Sequence, residues 1–299
     1  MPAPVKPSAL HRRVFRGSDV VGTGLLTAQS LRSSAWRRLY RDVYADAELP
    51  DSPRIQIAGA ALLLPAVAAF SGRTAAWLHG ARELFDGAFP VEVSVPAGER
   101  FGPVAGLQIR RVELRPADVV SVDRRRCTTA GRTALDVVRA EPLLDGVAAL
   151  DVLLRTGTTT LDDVRAALAD LSSARGAARA RQALQLADGR AESQPESRVR
   201  VALALAGLAA VPQHTVREAD GTFVARVDLA FPELRVAVEY DGAWHGERGQ
   251  FAADRRRLNR LVAAGWTVIH VTAADLRDLP ALIARVRAQL RRAAATAGK

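Results

Sequence analysis

The 299-residue chain has a single cysteine, Cys127, so it can form neither an internal disulfide nor a cysteine-based zinc site. That scarcity suits a reducing compartment, and a cytoplasmic location is the expectation. Lysine is nearly missing as well. It occurs only at Lys6 and Lys299, although Lys and Arg together number 42 against 32 Asp and Glu. No long uninterrupted apolar run exists. The most apolar stretch, Ile55 to Phe70, is broken by Gln56 and Pro65 and is shorter than the roughly 20 residues of a membrane-spanning helix. It reads as a buried helix. The N-terminus has basic residues with no apolar signal core behind them, and no fixed-period repeat is visible.

What is present is arginine. The formal net charge of +10 is carried almost wholly by guanidinium groups, whose planar forks match phosphate oxygens in pairs. A GC-rich genome would account for arginine over lysine but not for the excess of positive charge. A nucleic-acid partner is therefore expected. The composition, 48% apolar and 25% charged, is that of an ordinary globular protein, and the length suggests about two domains.

Residues 1 to about 22 show little periodicity and read as a loose arm. Thr27 and Ser34 stand where helix caps would, before Ala28 to Leu31 and Ala35 to Tyr40, and Asp42 to Ala45 reads as a short strand. Two short helices and a hairpin resemble a winged helix-turn-helix over residues 1–50, similar to the N-terminal domain of abortive-infection-type antitoxins. Residues 51–172 read as a mixed α/β region. Helices are expected between Ile55 and Gly80, the second capped by Ser71. Strands follow at Val91 to Val95 and Leu107 to Val112, then helices at Thr133 to Arg139, Leu143 to Arg155 and Leu161 to Leu171. His79, alone beside Trp77 and Leu78, reads as a packed histidine. Residues 173–190, rich in Ala and Arg, form a linker or a helix.

Residues 191–299 carry the chemistry. Ser193 and Glu196 have capping-box spacing, so Glu196 caps a helix or points from its apolar stripe into the domain; both readings stay open. Two strand-like runs, Phe223 to Phe231 and Val236 to Tyr240, flank the loop Pro232-Glu233-Leu234-Arg235. That loop fixes the register: Phe231 faces Val236, Leu229 faces Val238, and Asp228 faces Glu239. Like charges directly opposite destabilise a sheet, and a divalent cation bridging Asp228 and Glu239 would compensate. Asp241 lies on the same face as Glu239, while a wet hairpin face with Arg226 offsetting the charge is the plainer explanation. Trp244 and His245 sit in a glycine-flanked turn at the strand end, which brings an imidazole near the acids as a general acid or base. A helix from Phe251 to Ala264 presents Arg255, Arg256 and Arg260 for phosphates, with Asp254 on its inner face. Gly265 closes that helix, Trp266 to Val271 reads as a buried strand, and Thr272 and Asp275 open the last helix.

The segments RVDLAFPELRVAVEYDGAWHG and FAADRRRLNRLVAAGWTVIHVTAADL resemble the DUF559 family, related to very-short-patch repair endonucleases within the PD-(D/E)xK restriction-endonuclease-like superfamily. The resemblance implies a mixed sheet flanked by helices, hence an α+β chain overall, and DNA cleavage dependent on Mg, with Mn as a substitute. It implies Asp228 and Glu239 as metal ligands, Glu196 as the glutamate of the first helix, and His245 as an assisting histidine. Asp241 stands where the superfamily has a lysine, and Glu247 where the repair enzymes have a second histidine. The tracts SGRTAAWLHG and RTALDVVR are similar to antitoxin-like regions. Two functions follow as expectations: a metal-dependent DNA endonuclease, or a DNA-binding regulator or antitoxin-like protein whose nuclease fold does not turn over.

Overall fold

The computed structural model describes residues 6–170, 175–242 and 248–297. The chain divides into two compact units, Met1–Asp136 and Val137–Lys299. Among the described residues it is an α+β protein with three sheets, and no helix is long and apolar enough to cross a membrane.

The first unit begins with β1 (Val14–Arg16), α1 (Gly17–Gly22) and a hairpin of β2 (Trp36–Tyr40) and β3 (Val43–Asp46). These strands form an antiparallel sheet in the order β1-β3-β2. Two expectations change here. The segment from residue 6 to 22 is no loose arm, because Leu10, Phe15 and Val20 are buried, with the Phe15 ring edge-on to Trp36 at 5.0 Å. Their spacing follows neither the helical nor the strand period, so the sequence carries no pattern to read. Residues Ala35 to Tyr40 contain a strand, not a helix. Trp36 and Tyr40 are both buried, and a separation of four places two residues on one face of either element. Pairing with β3 across the Arg41–Asp42 turn decides for the strand. Thr27 does act as a cap, its Oγ1 accepting from the Ser30 N–H at 3.0 Å, but only one 3-10 turn, Ser30–Arg32, follows.

The same unit continues with α2 (Pro53–Ala61), β4 (Ala69–Phe70), α3 (Gly72–Leu78), β5 (Val91–Val95), β6 (Leu107–Arg111), β7 (Val119–Val122), β8 (Arg125–Thr128) and the start of α4 (Ala130–Ala140). The five strands make a mixed sheet in the order β6-β5-β4-β8-β7. The apolar run Ile55 to Phe70 is thus not one buried helix. It stops at Ala61, turns at Pro65, whose carbonyl accepts from the Ala68 N–H, and ends as β4. Proline has no N–H and fits a turn better than a helix interior. Ile57, Phe70, Phe85, Val91, Val93 and Cys127 fill the core. Burial pushes the Cys127 thiol up to about 12. His79 packs beside it, Nε2 at 2.7 Å from the Thr128 carbonyl and 3.6 Å from Cys127 Sγ.

Both antitoxin-like tracts serve this architecture. Gly72 has φ +55°, and a Cβ there would run into the Glu92 carboxylate. Glu92 is buried on β5, accepting from the Arg73 N–H at 3.3 Å, which holds the start of α3, and from Arg110 Nη2 at 2.6 Å. Arg132, buried on α4, reaches Asp118 and Asp136 at 3.1 Å each.

The second unit holds the rest of α4, then α5 (Leu143–Arg155), α6 (Leu161–Asp170), α7 (Ala177–Leu186), α8 (Gln194–Leu205), β9 (Val211–Arg217), β10 (Phe223–Phe231), β11 (Val236–Tyr240), α9 (Arg248–Ala263), β12 (Thr267–Val271) and α10 (Leu279–Ala297). The stretch 173–190 therefore carries a helix, α7, in its described part. The sheet order is β12-β11-β10-β9, with β12 parallel to β11 and the other pairs antiparallel. The expected hairpin register is observed: Phe231 pairs with Val236, Ala230 with Ala237 and Leu229 with Val238. Helices cover both faces. Val199, Leu203, Leu282 and Val286 pack on Leu229 and Val238, while Leu261 and Trp266 pack on Ala230 and Ala237. Thr272 and Asp275 form the expected bond, N–H to Oδ2 at 2.8 Å, but it opens the 3-10 turn Asp275–Arg277 ahead of α10.

A buried ion pair ties the helices of this unit together. Arg200 on α8 donates to Asp151 on α5 at 2.7 Å and to the Leu186 carbonyl at the end of α7 at 2.7 Å. Asp151 also accepts from the Asp188 N–H at 2.7 Å. Desolvation raises the Asp151 carboxyl above its usual range even so.

Candidate functional site

The hairpin register places polar residues in one row across the second unit's sheet. Continuing the β10–β11 pairing by one step sets Asp228 opposite Glu239. Glu239 pairs with His270 on β12. On the other side, Val227 pairs with His214 and Leu229 with Pro212, so Gln213 lies at the position opposite Asp228. The row is thus Gln213, Asp228, Glu239 and His270, one residue from each strand. Gln213 has φ +51°, in the left-handed region. For a non-glycine residue inside a strand this costs on the order of 1 kcal/mol or more and persists only where its surroundings hold it.

The surroundings of Gln213 are acidic. Its Nε2 donates to Glu196 Oε2 at 3.0 Å. Glu196 also closes the capping box of α8: its N–H donates to Ser193 Oγ at 3.3 Å, Ser193 Oγ donates back at 2.8 Å, and the Glu192 N–H donates to Oε2 at 2.9 Å. Glu196 caps the helix, and it lies close enough to Asp228 to raise that carboxyl's pKa.

Asp228 is half-buried, its Oδ2 accepting from the Tyr240 N–H at 2.9 Å. Desolvation is the largest influence on it and pushes its carboxyl up to about 7, with Glu196 and Glu239 adding to the rise. The Tyr240 N–H and Arg257 oppose it. Next to it, Glu239 is buried, and both of its oxygens are engaged by Arg257: Nη1 donates to Oε2 at 2.9 Å, and Nη2 donates to Oε1. Arg257 Nη2 also donates to the Arg226 carbonyl at 2.7 Å. The guanidinium thus sits in a two-pronged grip on the carboxylate, a strong and directional arrangement.

In this arrangement both oxygens of Glu239 accept from Arg257, and one oxygen of Asp228 accepts a backbone N–H. The compensating cation is a protein side chain. Among the described residues, three potential metal donors come within 4.8 Å of one another only at His11, Asp46 and Glu48. There too the positive charge is an amine, with Lys6 Nζ at 2.5 Å from Asp46 and 2.8 Å from Glu48.

The other sequence-nominated residues are dispersed. Asp241 is exposed, and its carboxylate pairs with His270 Nδ1 at 3.0 Å. Arg255, Arg256 and Arg260 are exposed on α9. Trp244 and His245 lie outside the described residues, as does Glu247, and Asp254 falls on α9 outside the residues whose side chains are described. Arg226 reaches away, pairing with Glu192 at 2.5 Å. The residue that sequence reasoning passed over is Arg257. Its signal was available: it lies four positions before the buried Leu261, hence on the inner face of α9. Within the run Arg255-Arg256-Arg257 it resembles its exposed neighbours.

Residues 67–186 match the family described as the AbiEi antitoxin C-terminal domain. Two curated relatives from strains of Mycobacterium tuberculosis, Uncharacterized protein MT2308 and Uncharacterized protein Rv2248, are each 33% identical over 224 residues, covering 74% of this chain and 80% of theirs. The crystal structure of the RV2827C protein from the same species has a TM-score of 0.41 at 15% identity, over 69% of this chain and 78% of that one. A likeness that slight supports no inference.

Proposed function

The chain belongs to the same family as these two mycobacterial proteins, and from that premise we propose that it is a DNA-binding protein of the antitoxin type, in which the nuclease-like sheet binds rather than cuts. One observation carries this reading: Arg257 neutralises the buried Glu239 where a catalytic cation would have to sit. A phosphate backbone approaching the sheet then meets a carboxylate that is already paired, with the arginines of α9 beside it. The AbiEi match over residues 67–186 and the net charge of +10 support the same conclusion.

Binding to a labelled DNA duplex, followed by anisotropy across a salt series, tests the proposal. Replacing Arg255, Arg256 and Arg260 with Ala should weaken binding and make the salt dependence shallower, by about 0.9 in the log–log slope for each phosphate no longer neutralised. An unchanged slope would remove α9 from the interface.

A second reading, a Mg-dependent endonuclease with Mn as a substitute, rests on Asp228 and on the DUF559 resemblance. A carboxyl held at about 7 is poised for proton transfer near neutrality. This reading requires Arg257 to leave Glu239. Nicking of supercoiled DNA by the wild-type protein with either metal, abolished in Asp228→Ala, would establish it over the first.

A further inference from the structure

The first unit contains a cavity of about 720 Å³ that the sheet of the second unit plays no part in. Arg54 at the start of α2, Trp77 on α3, Arg82 just after it, and Asp123, Arg124 and Arg125 at the β7–β8 turn line it. Its volume lies in the range of small-molecule sites, on the order of 300–1,000 Å³. Four guanidinium groups therefore face one carboxylate. Among the described residues none of the four is in an ion pair, whereas Arg110, Arg115, Arg132 and Arg200 each are. A concave surface with uncompensated charge of one sign concentrates ions of the other.

Three details indicate more than a solvated arginine patch. Asp123 and Arg124 have φ +48° and +61°, so the hairpin turns through two consecutive left-handed residues. Such turns favour Asn and Gly, and a strained arginine held at the lip of a cavity is an outlier that invites a functional reading. Arg125 Nε is buried without a hydrogen-bond partner, while its Nη1 donates to the Asp123 carbonyl at 3.2 Å. A buried N–H left without a partner is costly. Finally, the Arg82 guanidinium stacks over the half-buried Trp77 ring at 5.4 Å from its centroid, which offers a planar surface bounded by positive charge.

Anion-binding forks and an aromatic plane in one cavity match one ligand chemistry. We infer that this cavity binds a phosphorylated nucleoside, its phosphate held by Arg54, Arg124 and Arg125 and its base stacked at Trp77 and Arg82. The unit comes either from a free nucleotide or from the phosphorylated end of a single strand. The inference stands apart from the α9 interface, because duplex binding there can fail while this cavity still takes its ligand.

Calorimetry on the full chain with AMP, adenosine, inorganic phosphate and a 5′-phosphorylated oligothymidylate tests it. AMP should bind, with adenosine and phosphate each weaker by about tenfold or more. The double variant Arg54→Ala with Arg124→Ala should weaken AMP binding by at least about tenfold at an unchanged melting temperature, since both side chains are exposed. Trp77→Leu should bring AMP down toward the affinity of phosphate alone, with circular dichroism confirming the fold. If the oligothymidylate binds more tightly than AMP and responds to the same variants, a strand end is the ligand; the reverse order assigns a free nucleotide. Failure of both AMP and the oligothymidylate to bind, or binding that the double variant leaves intact, would overturn the inference.

Discussion

Each unit buries one glutamate in its sheet, and the two are stabilised in different ways. Glu92, on β5, receives a backbone N–H from the start of α3 and the guanidinium of Arg110 on the neighbouring strand. Glu239, on β11, is held by Arg257, a side chain from a helix, and has the Asp228 carboxylate near it. The first arrangement is architectural in its backbone donor, since the Arg73 N–H cannot leave without unfolding the start of α3. The second can be exchanged: the Arg257 side chain is 32% exposed and could turn to another anion. Burial alone therefore does not identify a functional acid. The origin of its counter-charge, and the number of like charges beside it, are what separate the two sites.

The largest expected effect tests that separation directly. Glu92→Ala strands Arg110 and uncaps α3, and should cost about 3–5 kcal/mol, the range for a broken buried pair. Glu239→Ala should cost less, about 1–3 kcal/mol, because Arg257 can recover water. Urea denaturation of both variants measures the difference, and equal losses would collapse the distinction.

The next effect concerns Asp228, whose raised carboxyl makes stability depend on pH. The folded state holds the proton that the unfolded chain releases near 3.8. The stability gained from that proton is complete below pH 3.8 and is lost as pH rises through about 7. Asp228→Asn, which keeps an acceptor for the Tyr240 N–H, should match the wild type near pH 3. It should exceed it at pH 8 by at most about 4 kcal/mol. Parallel melts at the two pH values decide the matter, and identical pH profiles would mean that Asp228 is not strained.

The smallest effect concerns the exchangeable cation. Arg257→Ala leaves Glu239 uncompensated beside Asp228, and calorimetric affinity for Mn should rise by about tenfold, roughly 1.4 kcal/mol. Unchanged affinity would show that the guanidinium does not hold a cation's place.

Much of the second unit was legible in the sequence because one short loop governs it. Four residues between two strand-like runs leave a single register, and that register puts Asp228 opposite Glu239 whatever surrounds them. The cap at Ser193, the glycine after α9 and the helices α5 and α6 were readable for the same reason: each has a local cause. What could not be read depends on distant partners. Whether Trp36 and Tyr40 mark a helix or a strand is decided by β3. The burial of Leu10, Phe15 and Val20 is decided by a sheet assembled later in the chain. The grip of Arg257 depends on α9 packing against a strand 18 residues before it, and a run of three arginines conceals which of them faces inward.

The packing of Cys127 has a practical consequence. The only sulfhydryl in the chain lies within the first unit's core, with its ionisation held back to about 12. At neutral pH it is neither accessible nor in the nucleophilic thiolate form, so maleimides should pass it over in the native protein. A cysteine introduced at an exposed position such as Arg124 or Arg256 would then be the one site to accept a fluorophore, without any prior engineering of a cysteine-free background.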